Sequence, residues 1–433
     1  MNNASDAAAD VAGEEIPASS GASAPTKRAD RIESLDFIRG LAVMGILAAN
    51  IVAFGQPFTA YMYPEAFLVS TNDPGGWQWI AQFVGIDGKM RGLFTLLFGA
   101  GLFLFMERAW ARGSSRWLQA RRLMWLLMFG LLHYFLIWRG DILTFYAIGG
   151  LIVLLCLKWS ATKQLKLGLV GYIIGAILYA LMMVPLPFVA DTPLGDEPAY
   201  SEMREGLEAG QTDAIEDDAA ETGFKQSGDY VGLVEHRVSN HAFDPLTGML
   251  LFSLETIPLM LIGVGLFRLG FFTGEFDRAR MRRWGWIGLT VGAALHLAIA
   301  LWVKGNGFTY YGTLAAFVGM SVIPRLMMVL GLAALLVLLA PKATGWLGTR
   351  ISAAGRAAFS NYLGTSIVML FVFHGWALGL FGELDRPQLY IVMALTWAAI
   401  LLWSKPWLKR FRYGPLEWLW RCLTYGKLFP MRR

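Results

Sequence analysis

Residues 37–56 read FIRGLAVMGILAANIVAFGQ, a run of twenty residues in which Arg39 is the only charged side chain. A helix of this length spans about 30 Å, which is the thickness of the hydrocarbon core of a bilayer. The whole chain has the same character, since 56% of its 433 residues are hydrophobic and only 16% are charged. A typical soluble protein carries about 25% charged residues. A soluble chain as apolar as this one would expose too much hydrocarbon to water. The sequence therefore predicts an all-α polytopic membrane protein.

Ten apolar stretches meet or approach the length of a membrane span. They lie at 37–56, 90–106, 121–138, 142–157, 166–190, 247–272, 284–303, 312–340, 357–381 and 388–404. The third and fourth stretches are separated only by Arg139-Gly140-Asp141, which predicts either a tight helical hairpin or one long continuous run. The eighth stretch is too long for one straight crossing, so we expect a kink at Pro324.

The basic residues predict the orientation of these helices. If both termini are cytoplasmic, 28 of the 37 Lys and Arg residues fall in the tails and connections on the inner side, as the positive-inside rule requires. Cys156 and Cys422 then lie on the side where thiols stay reduced. The partner that this composition implies is the lipid bilayer, because the 17 Trp residues fit interface belts better than stacking on nucleic acid.

The connections divide the chain into five segments. Residues 1–30, rich in Ala, Ser, Asp and Glu, are predicted to be a disordered cytoplasmic tail. Residues 31–190 and 246–404 form two transmembrane halves, and residues 405–433 form a basic cytoplasmic tail. Between the halves, residues 191–245 make an extracytoplasmic loop with fourteen acidic side chains. This segment is either a partly helical, solvated loop or a lid over an outward-facing site.

Charged groups within the apolar stretches are candidate functional residues, because each costs at least ~2.5–3.5 kcal/mol in a bilayer. Arg325 fits either a structural ion pair or a receptor for an anionic substrate. Glu255 is its first candidate partner, and the alternative is a general base. His133 and Asp141 meet at one outer surface if the hairpin forms, as a candidate proton-transfer pair. Asp141 also fits a helix N-cap, and His133 fits an interface belt.

The histidines point to the outer side of the membrane, since none of the five falls on the inner side in this topology. His374, in the outer half of its helix, is a candidate substrate-binding residue. No metal site is predicted, because two cysteines cannot supply a zinc centre. The chain also lacks the P-loop, GxGxxG, HExxH and GxSxG motifs. We therefore predict no permanently bound cofactor.

Four motifs extend across nearly the whole chain. They are RIESLDFIRGLAVMGIL at 31–47 followed by Asn50, LH at 132–133 through WRGDIL at 138–143, GR at 355–356 with SNY at 360–362, and GPLEWLWR at 414–421 with TYG at 424–426. Together they resemble the YeiB-like family of bacterial polytopic membrane proteins, whose C-terminal half carries a domain of unknown function. The resemblance implies a multi-pass protein of the bacterial inner membrane. It also implies structural roles for the motif residues Asp36, Arg39, Arg356, Asn361, Glu417 and Arg421.

The N-terminal half is also similar to transmembrane acyltransferases of the heparan-glucosaminide N-acetyltransferase type. Those enzymes carry acetyl from cytosolic acetyl-CoA to an acceptor on the far side of the membrane. The similarity implies an acyl-CoA donor, a small-molecule, glycan or lipid acceptor, and a binding role for Asn50. The acetyltransferases place a catalytic His soon after that Asn, where this chain has Tyr61. Either another residue, such as His133, transfers the proton, or this branch does not perform that reaction.

Two other functions are compatible with the same sequence. The chain could transport a small anionic or amphipathic solute, with Arg325 and Glu255 lining the path and protonation coupled to transport. It could also be a non-catalytic partner of another envelope protein. The resemblance favours the acyltransferase over both.

Overall fold

The structure, a computed structural model, describes residues 33–433, and the tail expected at residues 1–30 lies outside this range. The described residues are helical, and one isolated bridge between Phe411 and Arg432 is the β pairing found among them. In chain order the helices are α1 Glu33–Gly55, α2 Trp77–Gly85, α3 Lys89–Trp110, α4 Arg116–Leu132, α5 Leu143–Cys156, α6 Ala161–Met183, α7 Leu186–Ala190, α8 Ser201–Ser227, α9 Tyr230–Asn240, α10 Asp244–Arg268, α11 Arg278–Gly305, α12 Tyr310–Leu314, α13 Val322–Leu339, α14 Trp346–Arg356, α15 Ala358–Phe373, α16 Arg386–Arg410 and α17 Pro415–Tyr425.

The all-α membrane class is confirmed, with eight or nine helical segments in residues 33–433 that are long and apolar enough to cross a bilayer. The ninth is the pair α14 and α15, which is bent by 88° at Ala357. The predicted stretch 142–157 instead forms α5, which at 14 residues is about 21 Å long and shorter than a bilayer core. Within the predicted stretch 357–381, the helix ends at Phe373.

The predicted kink in 312–340 lies earlier than expected. A π-helical turn over Ala315–Met320 follows α12, and α13 starts again at Val322. Pro324 lies in the first turn of α13, where a missing N–H breaks no hydrogen bond within the helix. The break therefore precedes the proline, and Arg325 lies immediately after it.

Both halves of the chain contribute to one core. Helix α10 of the second half packs against α3, α5 and α6 of the first half, and α1 packs against α14. The α1–α14 crossing depends on two small residues, since a Cβ on Gly355 would lie 1.8 Å from the backbone oxygen of Asp36. A Cβ on Gly40 would lie 2.1 Å from that of Ile351. Small residues at such crossings let membrane helices approach closely.

The acidic connection contains two helices, α8 and α9, which we call the outer hairpin (Ser201–Asn240). Its inner face is anchored, since Tyr230 donates to the backbone oxygen of Leu136 at 2.6 Å. The N–H of Gly375 donates to the oxygen of Lys225 at 2.8 Å. Three charged side chains of α8, Asp218, Glu221 and Lys225, are buried. The outer hairpin therefore lies over the ends of α4 and α15.

The C-terminal segment is packed against the bundle. Trp420 of α17 donates to the backbone oxygen of Arg122 at 2.8 Å, and the Arg122 guanidinium lies 4.2 Å from the Trp420 ring centroid. Residues 405–433 therefore include an ordered helix held on α4.

Candidate functional site

The predicted hairpin between α4 and α5 brings His133 and Asp141 into direct contact. The last turn of α4 continues as a π-helical turn, His133–Ile137, and the chain becomes extended at Trp138. This turn reverses the chain so that Nδ1 of His133 lies 2.8 Å from Oδ1 of Asp141. Both side chains are buried, with exposed fractions of 0% and 1%.

The two oxygens of Asp141 have separate partners. Oδ1 faces His133, and Oδ2 accepts the backbone N–H of Thr144 at 2.7 Å. Asp141 therefore caps the first turn of α5 and orients the imidazole at the same time. Because a carboxylate is an acceptor only, Nδ1 of His133 carries the proton in this contact.

The other ring nitrogen of His133, Nε2, is buried and has no hydrogen-bond partner within residues 33–433. With the proton on Nδ1, Nε2 has a free lone pair. The rings of Trp138 and Tyr362 lie beside the imidazole, with centroid distances of 6.3 and 5.3 Å. A buried basic nitrogen that is oriented but unpaired has the arrangement of a general base.

The outer hairpin is held over this dyad by charge. Arg139, two residues before Asp141, contacts Asp217 at 2.7 Å and Asp218 at 2.9 Å. It also lies 3.6 Å from Glu221. Asp218 in turn accepts from the backbone N–H and the hydroxyl of Thr59, at 2.7 and 2.6 Å. The segment that carries the dyad is thus bonded directly to α8.

Glu221 is the centre of these contacts. Burial raises the pKa of its carboxyl, but Lys225, Arg139 and Arg237 outweigh that effect and hold the pKa well below its usual value. Lys225 lies 2.7 Å away. Burial lowers the pKa of Lys225, and Glu221 opposes that shift. Glu221 therefore stays ionised and ties three cations together.

His374 lines a cavity together with Trp138, the residue whose ring lies beside His133. It is buried, and Nδ1 has no hydrogen-bond partner among the described residues. The cavity is also lined by Lys225 and Arg237 and has a volume of about 10 Å³, which is room for about one water. The structure thus brings the predicted residues His133, Asp141 and His374 to the space beneath the outer hairpin.

Asn50 is the predicted binding residue that lies apart from this group. It is half-buried on α1, and no hydrogen bond described for residues 33–433 joins it to the dyad. The nearest links from α1 come one turn later, where Trp138 stacks on Phe54 at 4.1 Å and donates to the oxygen of Ala53 at 3.4 Å.

The predicted partners Arg325 and Glu255 are in contact, and a third charge joins them. Nη1 of Arg325 donates to Oε2 of Glu255 at 2.8 Å, and Nη2 of Arg91 donates to the same oxygen at 2.9 Å. Tyr172 donates to Oε1 at 3.3 Å. We call Arg91, Tyr172, Glu255 and Arg325 the deep cluster. Its two guanidiniums share one carboxylate, which leaves one net positive charge.

The geometry limits the anion-receptor role expected of Arg325. Its Nη2 donates to the backbone oxygen of Phe317 at 2.6 Å and to the hydroxyl of Ser321 at 2.7 Å. Both Nη atoms are thus committed to protein acceptors. Arg91 is the more accessible guanidinium, with 24% of its side chain exposed against 6% for Arg325.

The motif residue Glu417 caps the bend between α14 and α15. It accepts the backbone N–H of Phe359 at 2.7 Å and that of Ser360 at 3.2 Å. The Ser360 hydroxyl donates to its other oxygen. A carboxylate at a helix N-terminus satisfies free N–H groups and the helix dipole.

The other motif residues also make structural contacts. Asn361 donates to the oxygen of Ala354 at 2.9 Å and accepts from Trp403 at 3.0 Å. Arg39 contacts Asp36 one turn away at 3.4 Å. Arg356 lies in the last turn of α14. The guanidinium of Arg421 lies over the aromatic rings of Tyr413, Tyr425 and Phe429.

Sequence reasoning missed two sets of residues. The first is Arg91, which lies two residues inside the start of α3, where a charge at the edge of an apolar stretch gives no sign of a buried partner. The second set is a cluster of Asp217, His236 and His241 on the outer hairpin, whose ligand atoms lie within 4.8 Å of one another. The predicted outer location of every histidine was the available signal for it, but the contact with Asp217 depends on how α9 folds back on α8.

Comparison with known proteins gives the family. The chain is 32% identical to the uncharacterized protein YeiB of Escherichia coli (strain K12) over 416 residues, which cover 93% of this chain and 98% of YeiB. The chain belongs to the YeiB family. It is also 29% identical to the uncharacterized protein YxaH of Bacillus subtilis (strain 168) over 431 residues, covering 94% of this chain and 98% of YxaH.

The C-terminal part of the chain carries the family's second signature. Residues 266–427 match a family model described as a protein of unknown function, DUF418. This segment includes Arg325, Asn361, Glu417 and Arg421. The resemblance stated from the four sequence motifs is therefore confirmed. No solved structure matches the chain.

Proposed function

We propose that this membrane protein transfers an acyl group from a cytosolic acyl-CoA to an acceptor on the outer side of the bacterial inner membrane. The observation that carries the proposal is the buried His133–Asp141 dyad with Nε2 unpaired. His133 is also the first histidine of the chain. We assign to His133 the role that the similar acyltransferases give to a histidine soon after the asparagine that matches Asn50.

The dyad supports a simple proton balance. Nε2 of His133 accepts the proton of an acceptor hydroxyl or amine while that group attacks the thioester carbonyl. The bond from the carbonyl carbon to sulfur breaks, and the imidazolium returns the proton to the leaving thiolate. Asp141 holds the ring in one tautomer and stabilises the imidazolium, as the carboxylate does in other dyads and triads.

The test uses the purified full-length protein in detergent. It measures release of free CoA thiol from acetyl-CoA and longer acyl-CoAs, with a panel of amine and hydroxyl acceptors. His133→Asn should lower acceptor-dependent release by about 10²–10⁴-fold. Asp141→Asn should also lower it, because an amide can donate to Nδ1 and stabilise the wrong tautomer.

The matched control is His296→Gln. His296 is another buried histidine in a membrane helix, and its Nδ1 contacts the backbone oxygen of Gly292 at 2.9 Å. Its substitution should leave release within about twofold of wild type, given equal folded protein. Wild-type protein that neither binds acyl-CoA nor releases thiol with any acceptor would contradict the proposal.

A second candidate function is transport of a small anionic or amphipathic solute. The deep cluster favours it, because two guanidiniums share the carboxylate of Glu255 and Arg91 is partly exposed. An intramembrane cation of this kind suits an anion pathway. Uptake by proteoliposomes that Arg91→Gln abolishes, without thiol release, would favour transport over acyl transfer.

The proposal requires the dyad to lie on the outer side. Reporter fusions after Arg112, Arg280 and Arg350 should therefore read as cytoplasmic, and a fusion near Asp217 as periplasmic. A cytoplasmic reading near Asp217 would place the dyad on the wrong side for an outer acceptor.

A further inference from the structure

The outer hairpin holds a group of metal-ligating atoms that the dyad does not use. Oδ1 of Asp217, on α8, lies 3.0 Å from Nε2 of His236, on α9. The same oxygen lies 2.8 Å from Nε2 of His241, which ends α9. All three side chains are partly exposed, with exposed fractions of 14–23%. One carboxylate oxygen and two imidazole nitrogens therefore converge at the surface of the hairpin.

The outer nitrogen of each ring has a partner of its own. Nδ1 of His236 lies 2.9 Å from the side-chain amide of Asn240. Nδ1 of His241 lies 2.9 Å from Oδ2 of Asp244. A metal-ligating histidine donates its other ring N–H to an acceptor, as Nδ1 of His241 can to Asp244. The atom that faces Nδ1 of His236 is the amide nitrogen of Asn240, so metal binding through Nε2 of His236 requires that amide to turn its oxygen to the ring.

Proton counting at His241 leaves room for a cation. A neutral imidazole has one N–H, but this ring meets carboxylates at both nitrogens, Asp244 at 2.9 Å and Asp217 at 2.8 Å. If Nδ1–H donates to Asp244, the lone pair of Nε2 faces an oxygen lone pair of Asp217. A positive ion between these two atoms removes the repulsion. Two competing explanations are a second proton on the ring and donation to Nε2 from Nη1 of Arg139, which lies 3.3 Å away.

Arg139 lies beside the proposed ion position and contacts two of the ligand side chains. Its Nη1 donates to Oδ2 of Asp217 at 2.7 Å, which leaves Oδ1 for the two rings. It also lies 3.3 Å from Nε2 of His241. Because Asp218 and Glu221 bind the same guanidinium, Arg139 can keep its place beside Asp217 when Nε2 of His241 turns to an ion.

We propose that Asp217, His236 and His241 bind one divalent transition-metal ion, with zinc the best fit. Two imidazoles and a carboxylate with an open fourth position form a common zinc ligand set. Ligand atoms about 2.1 Å from a tetrahedral ion lie about 3.4 Å apart. The observed separations of 2.8 and 3.0 Å need to open by only about half an ångström. A water completes the shell on the exposed side.

The ion would clamp the outer hairpin over the dyad. It joins α8 to the end of α9, and through Asp244 it reaches Tyr134, whose hydroxyl donates to that carboxylate at 3.3 Å. Tyr134 is the neighbour of His133, and Arg139 connects Asp217 to the other side of the same turn. The site is therefore placed to hold the cover of the dyad shut, whatever reaction the dyad performs.

The experiment measures metal content, so it does not depend on acyl transfer. Full-length protein in detergent, freed of its affinity tag, is stripped with EDTA, incubated with Zn²⁺, desalted and analysed by mass spectrometry of the elements. Wild type should retain one zinc per chain. His236→Gln and His241→Gln should each weaken retention by more than about tenfold. Mg²⁺ and Ca²⁺ should not compete, because they prefer oxygen ligands.

Two further variants separate loss of ligands from loss of folding. Asp244→Asn keeps all three ligands and changes the carboxylate that His241 and Tyr134 share, and it should weaken zinc by about 10–100-fold. Asp213→Asn, an exposed acid one turn before Asp217 on α8, should retain one zinc. Helix content and elution volume are compared for every variant. Wild type without zinc, or equal retention by wild type and the His236→Gln/His241→Gln variant, would overturn the proposal and leave a protonated His241 or donation from Arg139 as the explanation.

Discussion

Two buried carboxylates of the membrane region, Asp141 and Glu255, have opposite surroundings. Asp141 has one imidazole and one backbone N–H as partners, and the far nitrogen of that imidazole has no hydrogen-bond partner among residues 33–433. Glu255 has two guanidiniums and a tyrosine hydroxyl. The first carboxylate orients a group that can accept a proton. The second is surrounded by cations that keep it ionised.

This difference separates the two candidate functions. A proton-transfer residue needs a free lone pair, and His133 has one. A carboxylate whose oxygens are both occupied by donors, as those of Glu255 are, contributes to structure or to an anion path. The dyad is therefore the better site for acyl transfer, and the deep cluster the better site for transport.

The largest effect is expected in the deep cluster. Glu255→Gln leaves Arg91 and Arg325 facing each other without a counter-charge, which should cost about 3–5 kcal/mol. We expect a large fall in membrane abundance and in the detergent unfolding temperature. Asp141→Asn should cost much less stability, because no second charge is left behind. Equal losses for the two variants would contradict the contrast.

A second variant tests whether Arg325 is structural or functional. In Glu255→Gln with Arg325→Met, Arg91 remains, and it can turn towards solvent because 24% of its side chain is exposed. The double variant should be more stable than Glu255→Gln alone, by about 1–3 kcal/mol, because a buried lone charge is removed. If abundance recovers but function does not, Arg325 belongs to the binding site. Full recovery of function would leave it as a structural partner.

The next effect concerns the approach of α4 to α5. A Cβ on Gly130 would lie 2.6 Å from the backbone nitrogen of Thr144 and 2.9 Å from Oδ2 of Asp141. Gly130→Ala should therefore cost about 1–3 kcal/mol by overpacking and lower thiol release further by displacing Asp141. The control is Gly364→Ala in α15, where nothing lies within 4 Å of the added Cβ. Unchanged release in Gly130→Ala would detach Asp141 from the reaction.

Local sequence patterns predicted the dyad and the fold class. The separation of His133 and Asp141 by eight residues across an Arg-Gly-Asp break specifies a reversal of the chain. The apolar runs specify the helices. The bilayer constrains both, because a charged or unpaired group within it must find a partner nearby.

The remaining features depend on contacts between helices that are distant in the sequence, and local sequence patterns do not reveal such contacts. Arg91 follows the start of α3 and has the position of a snorkelling flank residue, but α3 packs against α10 and brings it to Glu255. The role of Glu417 depends on the 88° bend, which exposes the N–H groups of α15 to it. The cluster around Asp217 likewise requires α9 to fold back on α8.

A smaller effect compares a hydroxyl in each region. Tyr172→Phe removes a hydroxyl donor from Glu255, which keeps both guanidiniums. Tyr362→Phe removes the hydroxyl that accepts the backbone N–H of Ile142 at 3.3 Å, next to Asp141. Each should cost about 0.5–1.5 kcal/mol in thermal unfolding. Only Tyr362→Phe should lower thiol release beyond its effect on folding. The reverse result would move the reaction to the deep cluster.

The smallest effect is expected from pH on the outer hairpin, whose carboxylate Glu221 resembles Glu255 rather than Asp141. Burial raises the pKa of Glu221, but Lys225, Arg139 and Arg237 hold it well below its usual value. A carboxyl whose pKa is depressed by docking stabilises the docked hairpin at pH values above its free pKa, and this contribution is lost as the pH falls through the docked pKa.

Hydrogen exchange of α8 around Glu221, corrected for intrinsic rates, should therefore stay constant from about pH 8 to about pH 5 and rise only in stronger acid. The measurement is repeated in the His236→Gln/His241→Gln variant, so that the imidazoles beside Asp217 do not contribute. Glu221→Gln should exchange faster already at neutral pH, because three cations lose their shared carboxylate. Loosening that begins near pH 6 in the histidine-free variant would show that Glu221 is not held ionised, and that the hairpin is anchored over the dyad by other contacts.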